Sequence, residues 1–393
     1  MAPSGPRSSD GARNAGTDDG FFASPLPEGA LAAKDPQQFD REEPGRGRAA
    51  KAPWRIPWRG WRDILWRSAW QVSRDKLTTV AGSVTYYTLL AIFPAIGVFV
   101  SIYGLVADVT TVQRHLTQMA AFFPASVVQL VGEQMVRLAE GRTSDLSLAF
   151  LVSLALSIWS ANAGMKSLFD GVNTAYNEVE RRNYVQRTLL TYGFTAALLV
   201  FLTAVTALMV AAPLSVASWE PIHPVVIVAR WIALFVMASA AFTGVYRFAP
   251  SRRQARWRWL VPGGVAAALL WLGVSASFSW YVNHLTRLDA TYGSLGAVIA
   301  FMLWVWFSVM AVLVGAEFAS EIEHQTACDT TVGPARPMGE RHAVMADTVG
   351  PAFVGVHALE GRLRGLLGRL RLSRTRPPGP QAARPGPRRS AGR

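Results

Sequence analysis

GSLGAVIAFMLWVWFSVMAVLVGAEFA, residues 293–319, carries a single charged side chain, Glu317. As an α-helix it rises about 1.5 Å per residue, and about 20 apolar residues cross the ~30 Å hydrocarbon core of a bilayer. A helix in water would show a polar face at a period of 3.6 residues; this stretch shows none, so lipid or other apolar helices must surround it. Five further windows have the same character, at approximately 79–105, 146–165, 189–213, 226–248 and 259–283. The expected fold is all-α, a polytopic membrane protein with six transmembrane helices plus amphipathic surface helices. The fourth window contains Arg230; starting it at Trp231 leaves WIALFVMASAAFTGVYRF, with Arg230 snorkelling at its end.

Orientation follows from the connections. Segments 51–76, 166–187 and 247–258 hold seven, four and five Lys or Arg, whereas 106–146, 214–230 and 284–292 hold three, one and one. The positive-inside rule then places both termini in the cytoplasm, as an even number of spans requires.

Composition sets the domain boundaries. The chain has 393 residues, 51% hydrophobic and 17% charged, yet its ends are polar. Residues 1–53 lack apolar periodicity and read as a disordered N-terminal extension. Residues 54–325 form the membrane domain, and residues 326–393 a basic, largely disordered cytoplasmic tail. The net charge of +13 flanks apolar segments instead of gathering on a soluble domain, so anionic lipid at the cytoplasmic face is the expected partner and nucleic acid is not. Cys328 is the one cysteine, and the six histidines keep no ligand spacing, so neither metal nor cofactor is expected. No phosphate-binding loop or nucleophile elbow occurs, and the chain does not read as an enzyme.

Three segments are amphipathic. Over 60–77, Trp61, Ile64, Leu65, Ala69 and Val72 share a face, with Arg62, Arg67, Arg74 and Lys76 turned to lipid headgroups. Around 127–138 the spacing of Val127, Leu130, Val131, Met135 and Leu138 predicts an external helix. Leu363, Leu366, Leu367 and Leu370 alternate with arginines as a membrane-surface tether, with disorder as the alternative because three glycines weaken the helix.

Polar groups on the apolar helices are the candidate site. AGSVTYYTLLAIFP (81–94) clusters Thr85, Tyr86 and Tyr87 ahead of Pro94, which kinks the helix. In SANAGMKSLFDGVNTAYN (160–177), Asn162, Lys166, Asp170, Asn173 and Asn177 fall within an arc of roughly 80°. That stripe lines a vestibule or is a solvated helix face, with Lys166 and Asp170 spaced to pair. Phe169, Val172, Tyr176 and Val179 form its packed opposite side. Glu317 is expected to pair with a cytoplasmic arginine, to cap, or to carry a proton, with Tyr292 at the far end of its span. Pro250, Pro262, Gly263, Gly293 and Gly296 are hinge or packing positions, Pro262 fitting a first helical turn.

Four blocks, AGSVTYYTLLAIFP (81–94), ANAGMKSLFDGVNTAYNEVERR (161–182), YRFAPSRRQARWRWLVPGG (246–264) and TYGSLGAVIAFMLWVWFSVMAVLVGAEFASE (291–321), resemble the YihY/BrkB family of bacterial inner-membrane proteins. The resemblance covers roughly residues 60–325 and implies six spans in the bacterial inner membrane with no settled molecular activity. Some members carry a virulence-factor name and others an old ribonuclease BN label. From the residues, the expected function is a transporter, exporter or lipid-handling protein for an amphiphilic or anionic solute. The alternative is a non-transporting scaffold or envelope-integrity factor. A ribonuclease is disfavoured because the spans hold no acidic metal cluster. Homo-oligomerisation stays open.

Overall fold

A computed structural model describes residues 35–106, 146–216, 223–284 and 295–353. The external helix expected at 127–138, the tether at 363–370, residues 1–34, Tyr292 and Gly293 lie outside that set. The chain divides into one unit, Pro27–Gly350, and a second made of Met1–Leu26 with Pro351–Arg393. All of the helices named below belong to the first.

They are α1 (Pro36–Glu42), α2 (Trp58–Arg74), α3 (Leu77–Val106), α4 (Leu146–Ala175), α5 (Tyr184–Val216), α6 (His223–Phe248), α7 (Trp257–His284), α8 (Leu295–His324) and α9 (Val344–Asp347), with a 3₁₀ turn at Pro53–Arg55. Among the described residues the only bridge of β type is an isolated antiparallel one between Ala255 and Thr331. Helices α5, α6, α7 and α8 each contain a stretch long and apolar enough to cross a membrane. The six helices α3–α8 follow one another around a ring, each packed on the next, and α8 returns to α3. Because α8 also touches α2, α4 and α6, it lies innermost. Burial agrees: 33% of its apolar stretch is covered, against 11% for α5.

The core gathers at one end of the bundle. Leu77 and Ala81 of α3, Phe169 and Val172 of α4, Tyr246 of α6, Leu260 of α7 and Leu313 of α8 are buried together there. Farther along, Leu151, Leu198, Leu199, Ile232, Leu269 and Leu303 are exposed, as side chains facing lipid tails are. Close approach depends on small residues. A Cβ on Gly263 would strike Ala319 and come within 2.9 Å of the Gly315 carbonyl. One on Gly264 would come within 2.8 Å of the Ser239 carbonyl on α6. Gly296 is buried on α8, and Pro94 lies inside the continuous helix α3.

Three boundaries depart from expectation. Helix α7 begins at Trp257, so Pro262 sits inside it instead of in the first turn. Helix α6 begins at His223 and takes in Arg230, which is half-buried within it instead of ending it. The largest departure concerns the polar ends: residues 35–53 and 326–350 are folded against the core-rich end of the bundle. Phe39 packs with Ala327 and Met338, while Ala50 and Ile56 join Ile64, Trp259 and Ile322. Composition missed this because the apolar content of each segment is low alone and suffices only when the two are placed together.

Candidate functional site

The Thr85 and Thr88 hydroxyls of α3 are spent on their own helix. Thr85 donates to the Ala81 carbonyl at 2.7 Å and Thr88 to that of Val84 at 2.8 Å, the usual way a helix absorbs such groups. Tyr86 is exposed and meets Tyr87 edge-on at 5.4 Å. Tyr87 and Thr88 instead border Gly164, where α4 lies close.

The stripe on α4 splits by depth. Asn162 is buried, and its Oδ1 meets no donor. Lys166 places its ammonium 4.8 Å above the Tyr184 ring, and it does not pair with Asp170 as the spacing suggested. Asp170 takes Arg187 at 2.7 Å, because the tight return into α5 brings that guanidinium across. Asn173 is a clamp: its Oδ1 accepts from the Ser251 backbone at 2.8 Å and its Nδ2 donates to Glu180 at 3.2 Å. It joins the α4–α5 connection to the α6–α7 connection, which contains the buried Pro250.

Asn177, in the left-handed region at φ 52, ends α4, with the Glu178 N–H returning to the Asn173 carbonyl and that of Asn177 to Thr174. This is a Schellman cap with Asn in the place Gly usually takes. Val179, expected on the packed side, is therefore past the helix and exposed. Beyond it, Glu180 holds Arg182, which also donates to the Phe248 and Ala249 carbonyls. Burial acts to raise the Glu180 carboxyl, but the hydrogen bonds and charge of Arg182 and the bond from Ser251 outweigh it and bring it to about 2.

Deeper in the same end lies a set of ion pairs between segments far apart in the chain. Arg252 meets Glu323 through its two terminal nitrogens, at 3.1 and 2.6 Å, and stacks 4.2 Å from the Tyr176 ring. Arg67 of α2 pairs with Glu321 of α8 and donates to Gln325. Arg46 pairs with the buried Asp63, and Arg48 reaches the Gln325 and Gly350 carbonyls. The face of α2 holding Asp63, Ile64 and Arg67 is thus against the protein, whereas Leu65 and Ala69, predicted to share a face with Ile64, are exposed beside Trp58, Trp66 and Trp70.

Glu317 departs most from expectation. Among the described residues no arginine pairs with it; Arg67 engages Glu321, one turn farther on. Glu317 itself is fully buried, with both carboxyl oxygens lacking a hydrogen-bond donor, and its neighbour is the carboxyl of Asp75. Asp75 was not legible as a partner, since it follows α2 as an ordinary polar residue before a span. Among the described residues, no three His, Cys, Asp or Glu side chains converge as metal ligands.

A family model described as Virulence factor BrkB matches residues 69–338, more than half of the chain. The chain belongs to the virulence factor BrkB family. Similar proteins include the ribonuclease-like protein YfkH of Bacillus subtilis, 27% identical over 60% of this chain and 86% of that protein. A UPF0761 membrane protein of Nitrosospira multiformis is 24% identical over 62% of this chain, and one of Haemophilus influenzae is 22% identical over 66% of this chain and 94% of its own length. The match spans only 57%, 56% and 58% of the relatives from Nitrosospira, Alkalilimnicola and Paraburkholderia. No solved structure matches. This BrkB-family protein is a multi-pass protein of the bacterial inner membrane.

Proposed function

We propose that this BrkB-family protein is a six-span carrier or lipid-handling protein for an amphiphilic or anionic solute, with both termini in the cytoplasm. Helices α3 and α4, of 30 residues each, are the two spans beyond the four that already qualify. The core-rich end, where Arg182, Arg187, Arg247, Arg252, Arg256 and Lys166 gather, is the cytoplasmic end by the positive-inside rule.

The carrying observation is the pair formed by Asn162 and Lys166, one helical turn apart on α4. The first offers a buried amide oxygen without a donor; among the described residues the second has an aromatic ring but no carboxylate beside it. A buried amide and a half-buried ammonium without an ion pair suit a headgroup that carries both a donor and negative charge. Native mass spectrometry of the detergent-purified protein tests this: a defined small-molecule adduct is expected, lost in Asn162→Ala and in Lys166→Ala and kept in Lys166→Arg. Losing a charge-assisted hydrogen bond of about 1.5–3 kcal/mol predicts a drop in affinity of about tenfold or more. An adduct indifferent to both alanine variants removes the site. The second reading, a membrane scaffold, is supported by the exposed Trp58, Trp66 and Trp70 on α2, and gains if no adduct or flux is found.

A further inference from the structure

Where α2 ends and α3 begins, the chain turns over two residues, Asp75 and Lys76, the latter in the left-handed region at φ 50. Two acids lie where that corner meets α8. On one side of the corner Arg67 meets Glu321, and on the other the Thr78 carbonyl accepts from the Trp306 indole N–H, so the corner runs along α8 and brings the Asp75 carboxyl beside that of Glu317. Two ionised carboxylates are acceptors only, so the contact contains no bond until one of them carries a proton. Glu317 is fully buried with neither oxygen meeting a donor, and Oδ2 of Asp75 is buried and equally unpartnered. Tyr176, also fully buried with its hydroxyl unpartnered, stands within electrostatic reach of Glu317 at the end of α4.

The other charged and titratable groups around the pair have their own engagements. On α8, Glu321 takes Arg67 of α2 and lies 3.5 Å from His324, and Glu323 takes Arg252 of the α6–α7 connection. Tyr246 of α6 gives its hydroxyl to the Val312 carbonyl at 2.6 Å. Arg74 acts on Asp75 as a favourable charge and Glu321 as an opposing one; burial, the largest influence, raises the Asp75 carboxyl above its ordinary range.

We infer that Asp75 and Glu317 form a proton-binding site, sharing one proton between the α2–α3 corner and the innermost helix. With the proton in place, an O–H···O⁻ bond joins the corner to α8. Without it, two like charges face each other, one of them fully buried, and the corner is pushed from α8 at the entry to α3. The site shares no residue with the Asn162–Lys166 pair and stands whether or not that pair binds a solute.

Infrared spectroscopy of the full-length protein in lipid nanodiscs, titrated with pH, tests the inference. A protonated-carboxyl C=O band is expected to persist at neutral pH and to shift when either Asp or Glu alone is ¹³C-labelled, because the proton is shared. Asp75→Asn and Glu317→Gln each supply a permanent amide donor to the remaining carboxylate, so the band should vanish in both. Thermal stability of the wild type should fall as pH rises through the range where the band is lost, since the folded state binds the proton more tightly. The two variants should lose that dependence. Absence of the band overturns the site. A band that responds to one label only, or survives Asp75→Asn, belongs to a single acid and overturns the sharing. The labelled wild type alone decides the matter if a variant fails to fold.

Discussion

Asn173 shows how one side chain governs two connections. Its amide accepts from Ser251 and donates to Glu180, while its own carbonyl receives the Glu178 N–H that closes α4. Asn173→Ala keeps the backbone cap but leaves the part-buried Ser251 N–H without its acceptor, at a cost of about 1 kcal/mol. Thermal unfolding in detergent should show the lower transition, and Asn173→Asp should recover part of it by restoring the acceptor. The sequence marked Asn173 as polar and important but not as a clamp, because its partners sit 7 and 78 residues away. Glu317 stands out in the sequence as a carboxyl in an apolar helix. Its neighbour was not legible, because one turn decides which α8 carboxyl Arg67 meets, and it meets Glu321.

At the scale of elements, the helices are set by hydropathy and spaced by glycine. Gly263 and Gly264, adjacent in α7, face different neighbours, Ala319 and Gly315 on α8 and Ser239 and Thr243 on α6. Alanine at either position forces backbone apart, and overpacking of this kind costs about 1–3 kcal/mol. At Gly273 of the same helix a methyl group would meet nothing within 4 Å, so Gly273→Ala should stabilise by roughly 0.5–1 kcal/mol through helix propensity. Unfolding temperatures should therefore fall in the first two variants and rise in the third. The Gly-Gly pair was legible as a packing signal; which helix each glycine meets was not, since that depends on the ring order of α6, α7 and α8.

Over the whole molecule, the polar ends complete the fold. Residues 35–57 supply the carbonyls of Arg46, Arg48 and Ala50 to Gln325, Ala327 and Thr326, and the Arg46 guanidinium to buried Asp63. Deleting them strands Asp63 as an unpaired buried charge, a loss of about 3–5 kcal/mol. Limited proteolysis should then cut within residues 325–350 at least tenfold faster than in the intact chain, whereas unchanged protection would show that this segment holds its place alone. Those residues had read as disordered extensions because each is polar when taken singly. Arg67 and Glu321 are 254 residues apart, and Arg48 and the Gly350 carbonyl 302.

Hydropathy is local and additive, and so the sequence by itself determined the long apolar helices, their approximate limits, the membrane setting and, through four motif blocks, the family. Pairing is neither local nor additive. Only the tertiary structure decided that α8 lies innermost, that the polar stripe of α4 is partly a clamp, and that Glu317 faces another acid. The cause is geometric: a buried charge is satisfied by whichever group the packing brings within about 3 Å, and that group can come from anywhere in the chain.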